Sequence, residues 1–73
     1  MSSPTLYIVV PCYNEEDVLP TTSGMFLQKL TDLTDSGRIS PDSRILFVND
    51  GSRDRTWDII CDLSHQDARI QGI

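Results

Sequence analysis

Two short polar stretches carry the residues best suited to chemistry. Pro11-Cys12-Tyr13-Asn14-Glu15 sets a phenol ring, an amide and a carboxylate directly after an apolar run, and Asn49-Asp50-Gly51-Ser52-Arg53-Asp54 sets two carboxylates around a turn glycine after another. A tyrosine in such a loop can stack on a planar base, a contact worth about 1–3 kcal/mol in single-strand binding systems. Glu15 can accept hydrogen bonds from ribose hydroxyls, as an acidic residue does in dinucleotide folds. Asp50 can accept the imide N–H of uracil, which suits an acceptor-only carboxylate, and the same group serves guanine N1–H equally well. Each stretch also has an ordinary reading. Tyr13 can be packing, Asn14 a helix cap, Glu15 a favourable charge near a helix start, and Asp50-Gly51 a tight turn with Asp54 capping the helix that follows. Taken singly, both stretches fit that ordinary reading better; side by side at neighbouring strand ends they fit a binding crevice.

Other chemistries find little support. Neither G-x-G-x-x-G nor G-x-x-x-x-G-K-[ST] occurs, which removes the glycine-rich phosphate cradles. A nucleotidyltransferase of similar topology would want a glycine-rich, basic loop after the first strand, the opposite of Pro-Cys-Tyr-Asn-Glu-Glu. His65 stands alone and reads as a surface residue, so no Ser-His-Asp or Cys-His pair can be assembled. Arg53 and Arg55 sit where they could touch a diphosphate, but two arginines in a turn are usually solvated. Cys12 and Cys61 lack both the C-x-x-C spacing of a zinc or redox site and the density of a disulfide scaffold, so they read as reduced, partly buried thiols.

The elements that must position these stretches follow from patterning. Leu6 to Val10 is an unbroken, partly β-branched run that reads as a central parallel strand buried on both faces and ended by Pro11. A helix should begin between Glu15 and Leu19, since Pro20 is tolerated only in a first turn, and should stop at Ser36-Gly37. Leu19, Met25, Phe26, Leu30 and Leu33 form its apolar stripe. Residues Arg38 to Ser43 read as a surface loop, Arg44 to Asn49 as a second buried strand, and Thr56 to Ser64 as a helix with Trp57, Ile60 and Cys61 on one face. Arg69 to Ile73 reads as the opening of a third strand. The order β-α-β-α-β implies an α/β fold with a parallel sheet and right-handed crossovers, which binds ligands beyond the carboxyl ends of its strands.

Composition bounds the answer. Seventy-three residues allow at most one domain, and 38% hydrophobic with 23% charged residues is the balance of a globular chain. Eleven acidic against six basic residues give a net charge of -5, which opposes a nucleic-acid backbone and leaves room for a single nucleotide. No apolar stretch is long enough to span a bilayer, and the first residues lack the basic and hydrophobic regions of a signal peptide, so a cytoplasmic segment is expected.

The stretches Ile8-Val9-Val10-Pro11-Cys12-Tyr13-Asn14-Glu15-Glu16 and Ile45-Leu46-Phe47-Val48-Asn49-Asp50-Gly51-Ser52-Arg53-Asp54-Arg55-Thr56 resemble the two amino-terminal motifs of family-two glycosyltransferases. The form Pro-x-Tyr-Asn-Glu-Glu followed by Asn-Asp-Gly-Ser-x-Asp-x-Thr-Trp is most similar to the polyprenyl-phosphate group, which includes dolichol-phosphate mannose synthases and undecaprenyl-phosphate glucosyltransferases. The resemblance implies a Rossmann-like GT-A domain of which residues 1–73 are the nucleotide-binding amino-terminal part. It implies an inverting transfer of a sugar from a nucleoside-diphosphate donor to an acceptor, a polyprenyl phosphate or a saccharide, in cell-envelope glycan biosynthesis. Carried over by position, Pro11, Tyr13 and Glu15 line the nucleoside pocket and Asp50 binds the base, while Asp54 and Thr56 turn and cap the chain into the next helix. Asn49 stands where the family often has aspartate. The family's metal-binding Asp-x-Asp and catalytic base have no counterpart here, so the expected divalent cation (Mg2+ or Mn2+) has its ligands outside this segment, and no catalytic residue lies within it. The complete protein is expected at the cytoplasmic face of a membrane, reached only through sequence outside this segment. The alternative is a catalytically inactive nucleotide-binding module or remnant.

Overall fold

A computed structural model describes residues 3–73. Strand β1 (Tyr7–Cys12) leads through helix α1 (Leu19–Asp35) to β2 (Arg44–Asn49), then through α2 (Thr56–Gln66) to β3 (Ile70–Gly72). The three strands form one parallel sheet in the order β1-β2-β3, the expected Rossmann-like α/β arrangement.

Alternation along the strands divides the sheet into two unlike faces. Ile45 and Phe47 of β2, Cys12 of β1 and Ile70 of β3 are buried and form one core with Leu19 and Leu30 of α1 and Ile60 of α2. The intervening residues point the other way, where Tyr7 is 56% and Val9 59% exposed. The expectation of a strand buried on both faces is therefore met on one face only. Two successive right-handed crossovers in the same direction put both helices on one side of the sheet, and among the described residues no element covers the other.

Pro11 does not end β1 as expected. It pairs with Val48, and Cys12 pairs with Asn49. In a parallel ladder alternate residues bond the same neighbour, and the carbonyls of Leu6 and Cys12 accept from Arg44 N and Asp50 N of the β2 side. Pro11 has the opposite parity, so its missing N–H falls on the open edge and costs no ladder bond.

Helix α1 begins at Leu19 with a proline in its first turn, within the expected range. It ends in a Schellman turn: Arg38 N donates to Leu33 O at 3.0 Å and Gly37 N to Thr34 O at 3.0 Å, with Gly37 at a φ of 76° that favours glycine. Two core assignments shift. Met25 is 69% exposed, and the inward position is taken by buried Ser23, whose hydroxyl donates to Pro20 O at 3.0 Å. The stripe thus runs Leu19, Ser23, Phe26 and Leu30, the i, i+3, i+4 geometry that Met25 interrupts. The segment after α1 is also less superficial than its polarity suggests. Ile39 joins the core, and buried Ser43 accepts a hydrogen bond from Leu6 N at 2.9 Å, fastening the approach to β1.

Helix α2 turns Thr56 and Ile60 fully inward and leaves Trp57 41% exposed, so the tryptophan flanks the core. Its ring lies beside Gly72: a Cβ added there would run into Ile60 Cγ2 and come within 3.4 Å of Trp57. Beyond α2, Arg69 donates from Nε and Nη2 to the two carboxylate oxygens of Asp67, at 3.1 and 2.8 Å, and from Nη1 to Thr31 Oγ1 at 2.9 Å. This fork ties the start of β3 to α1. The hydrogen bonds from the Arg69 side chain hold the Asp67 carboxyl below the usual carboxylate range despite partial burial, with the Arg69 amide and the guanidinium charge adding to the effect.

Two outcomes are expected. Gly72→Ala forces β3 from α2 and lowers stability by about 1–3 kcal/mol, read from the denaturant midpoint; an unchanged midpoint would contradict this close approach. Because Asp67 has a folded pKa below its unfolded value, its stabilisation is complete above the ordinary carboxylate pKa of about 4 and is lost as pH falls through the lower folded value. The stability difference between wild type and Asp67→Asn should therefore be flat near neutral pH and shrink on acidification, and a gap independent of pH would refute the pairing.

Candidate functional site

The site is built by register. Because Cys12 lies opposite Asn49, β1 and β2 end level, and Asp50 N donates to Cys12 O at 2.8 Å as the two chains leave the sheet. The loops after the strands are thus neighbours at the carboxyl edge, as the alternation of strands and helices requires.

Each loop is shaped by its own polar residues. Asn49 Oδ1 accepts from Ser52 N at 3.2 Å and closes the Asp50-Gly51 turn, in which Gly51 has a φ of 71°. Asn14 takes a φ of 50°, a left-handed conformation that asparagine tolerates better than most residues. Its side chain does not cap α1, whose N-cap position is Val18, without any side-chain hydrogen bond. Asn14 Oδ1 instead accepts from Arg53 N at 2.8 Å, across the loops. Asp54 does serve the start of α2, where its Oδ1 accepts from Thr56 N at 2.9 Å from one position before the N-cap Arg55. The same carboxylate reaches back to the first loop, accepting from Glu16 N at 3.2 Å. Partial burial alone would push the Asp54 carboxyl up, but hydrogen bonds from the Thr56 hydroxyl and from the Thr56 and Glu16 amides outweigh it and hold the group low.

Of the four residues expected to contact a nucleoside, all lie at this carboxyl edge, though not in one cavity. Pro11 and Glu15 line a small depression walled by Val10, Val18, Leu19 and Phe26 at the open side of β1. Tyr13 and Asp50 are exposed and stand outside it, one on each loop. Cys12 forms the floor of the depression: it is buried, its thiol lies 3.6 Å from Val10 O, and desolvation together with the charge of Glu15 pushes its pKa up. Arg55 is 3.8 Å from Asp58 in a solvent-exposed pair that contributes little. His65 is exposed, with Nδ1 2.7 Å from Cys61 O within the last turn of α2, which agrees with a surface role.

Among the described residues, no three His, Cys, Asp or Glu side chains converge to hold a metal ion, and no helix is long and apolar enough to cross a membrane. Sequence reasoning missed the parts played by Ser52 and Thr56, which accept from the amides of Asn14 at 3.0 Å and Glu15 at 2.7 Å. Hydroxyl residues in a turn have many possible partners, and only the level strand ends select these.

A parallel β-α-β-α-β unit with two polar loops at neighbouring strand ends is an open α/β sheet, the kind that takes ligands beyond the carboxyl ends of its strands. The profile of the family described as Glycosyl transferase family 2 matches residues 7–73, and the chain belongs to that family. It is 46% identical over 72 residues to "Uncharacterized glycosyltransferase YkoT" of Bacillus subtilis (strain 168), covering 99% of this chain and 21% of that protein. It is 41% identical over 66 residues to "Uncharacterized glycosyltransferase YkcC" of the same organism, covering 90% of this chain and 19% of that protein. The chain thus spans about a fifth of the length of these curated relatives. No solved structure matches it.

The environment of the two thiols leads to a simple check. With a soluble alkylating reagent near pH 8, half-buried Cys61 should react well before buried Cys12, followed by mass spectrometry of the peptides. Faster labelling of Cys12 would mean that the depression beside β1 is far more open than described.

Proposed function

We propose that this segment is the nucleoside-binding part of an inverting glycosyltransferase that moves a sugar from a nucleoside-diphosphate donor to a polyprenyl-phosphate acceptor at the cytoplasmic face of a membrane. The observation that carries the reading is the meeting of two loops at level strand ends, with Tyr13 and Glu15 on one and Asp50 on the other. Membership of the family supports the reaction class. The narrower acceptor rests on the likeness of the two loop motifs to the polyprenyl-phosphate group.

The roles follow from side-chain chemistry. Tyr13, exposed at the carboxyl edge, offers its ring face to the base. Asp50 has acceptors only and receives a ring N–H, which distinguishes a base with a donor at that edge from one without. Glu15, half-buried above the depression, accepts from the ribose hydroxyls, and Pro11 supplies a rigid wall beside it. Displacement at the sugar C1 with inversion is the expected reaction of the whole protein. In that reaction a divalent cation held by residues outside this segment offsets charge on the departing diphosphate.

Isothermal titration of the full-length polypeptide with UDP and with GDP tests the reading. Asp50→Ala should weaken the preferred nucleotide by roughly 10- to 100-fold, the loss of one charge-assisted hydrogen bond, and Tyr13→Ala by a similar factor, while Tyr13→Phe keeps most of the affinity. Unchanged binding of both nucleotides in Asp50→Ala and Tyr13→Ala would sink the assignment. A polyprenyl-phosphate acceptor predicts product extractable into organic solvent from a radiolabelled donor, and label found only in water-soluble saccharide would replace that acceptor with a sugar.

A further inference from the structure

We propose that Asn14, Ser52, Asp54 and Thr56 are positioning residues: they form a hydrogen-bonded clasp that locks the loop after β1 to the loop after β2 and so sets how Tyr13 and Glu15 face Asp50. This inference rests on the nucleoside-binding reading of those three residues and adds to it the device that holds them in place.

Three consecutive amides of the first loop, those of Asn14, Glu15 and Glu16, donate to three different side chains of the second. Their acceptors are Ser52 Oγ at 3.0 Å, Thr56 Oγ1 at 2.7 Å and Asp54 Oδ2 at 3.2 Å. One bond returns, from Arg53 N to Asn14 Oδ1 at 2.8 Å. The Thr56 hydroxyl donates to Asp54 Oδ1, so the acceptors of the second loop are themselves joined. All four cross-loop bonds link residues 38 to 41 positions apart. Ordinary capping would satisfy donors at the start of α1, but that helix begins at Leu19, and these amides precede it. The left-handed turn at Asn14 brings successive N–H groups round to the second loop.

The clasp and the ligand-facing residues interleave along the chain. Tyr13 lies between Cys12, whose carbonyl accepts from Asp50 N, and Asn14. The backbone of Glu15 is held by Thr56 while its side chain lines the depression. Asp50 lies between that same amide bond and the Asn49-Ser52 turn. Tyr13 and Asp50 are exposed and enter none of the clasp's bonds, so each is free for a ligand while its neighbours are fixed. Two loops held separately would have to order on binding, and holding them as one body removes that cost.

Variants of the full-length polypeptide test this, with UDP and GDP affinity and amide hydrogen exchange without nucleotide as readouts. Asn14→Ala and Thr56→Val should each weaken the preferred nucleotide by about fivefold or more, the effect of one or two lost hydrogen bonds. They should also speed exchange at residues 14–16 while protection at Ile45 and Phe47 is kept. Thr56→Ser, which keeps the hydroxyl, should recover what Thr56→Val loses. Thr56 is fully buried, so if its valine variant does not fold, exposed Asn14 still decides the matter. Wild-type affinity in Asn14→Ala, alongside weakened binding in Tyr13→Ala and Asp50→Ala, overturns the clasp and leaves the nucleoside reading standing. Unchanged affinity in all of these variants overturns both. Loss of affinity together with loss of core protection in Asn14→Ala reduces the clasp to a contributor to stability and overturns its positioning role.

Discussion

The parallel pairing of β1 with β2 in a register that brings Cys12 opposite Asn49 is the constraint from which the rest of this structure follows. Side chains alternate along a strand, so a shift of one residue would turn Ile45 and Phe47 away from the helices and put Leu46 and Val48 in their place. The same shift would stagger the strand ends by about 3.3 Å, more than the tolerance of a hydrogen bond. Core and site are therefore fixed together. The fully buried residues Leu30, Ile45, Phe47 and Ile60 specify the register, and the register makes neighbours of two loops separated by a helix.

Polar backbone at the end of a sheet has lost its ladder partners, and several of these groups find new ones across or within the loops. Asp50 N goes to Cys12 O, Ser52 N to Asn49 Oδ1, and Asn14, Glu15 and Glu16 N to hydroxyls and a carboxylate. Among the described residues no buried side-chain nitrogen or oxygen lacks a partner. The charge balance matters as well. A carboxylate receiving several N–H and O–H donors, as Asp54 does, is stabilised in its ionised form.

Much of this was legible in the sequence because the deciding signals are local. The runs at β1 and β2, the proline in the first turn of α1 and Ser36-Gly37 at its end each name an element without reference to the others. The errors share a different cause. Pro11 signals a strand end in the sequence because proline breaks central ladders, but its position on the open parity of an edge is a property of the pairing. Met25 stands off the core while Ser23 faces it, because residue type says less than helical phase, and phase is set by what the helix packs against. Ile39 lay inside a polar stretch and gave no periodic signal, yet the Schellman turn before it directs the chain back to the core. At the site, the identities of Tyr13, Glu15 and Asp50 could be argued from chemistry, whereas the partners of Asn14 and Thr56 could not. A hydrogen bond between residues 39 or 41 apart is invisible until the strands are paired.

The two motifs that identify the family thus contain two kinds of residue. Cys12, Asn14, Asn49, Ser52, Asp54 and Thr56 spend their polar groups on one another and on the backbone, and their spacing answers to the geometry of two strand ends. Tyr13, Glu15 and Asp50 stand between them, and their side chains take no part in these cross-loop bonds. A change in the first set loosens the join between the two loops, which is shared with the bond from Asp50 N to Cys12 O and with the burial of Thr56 in the core.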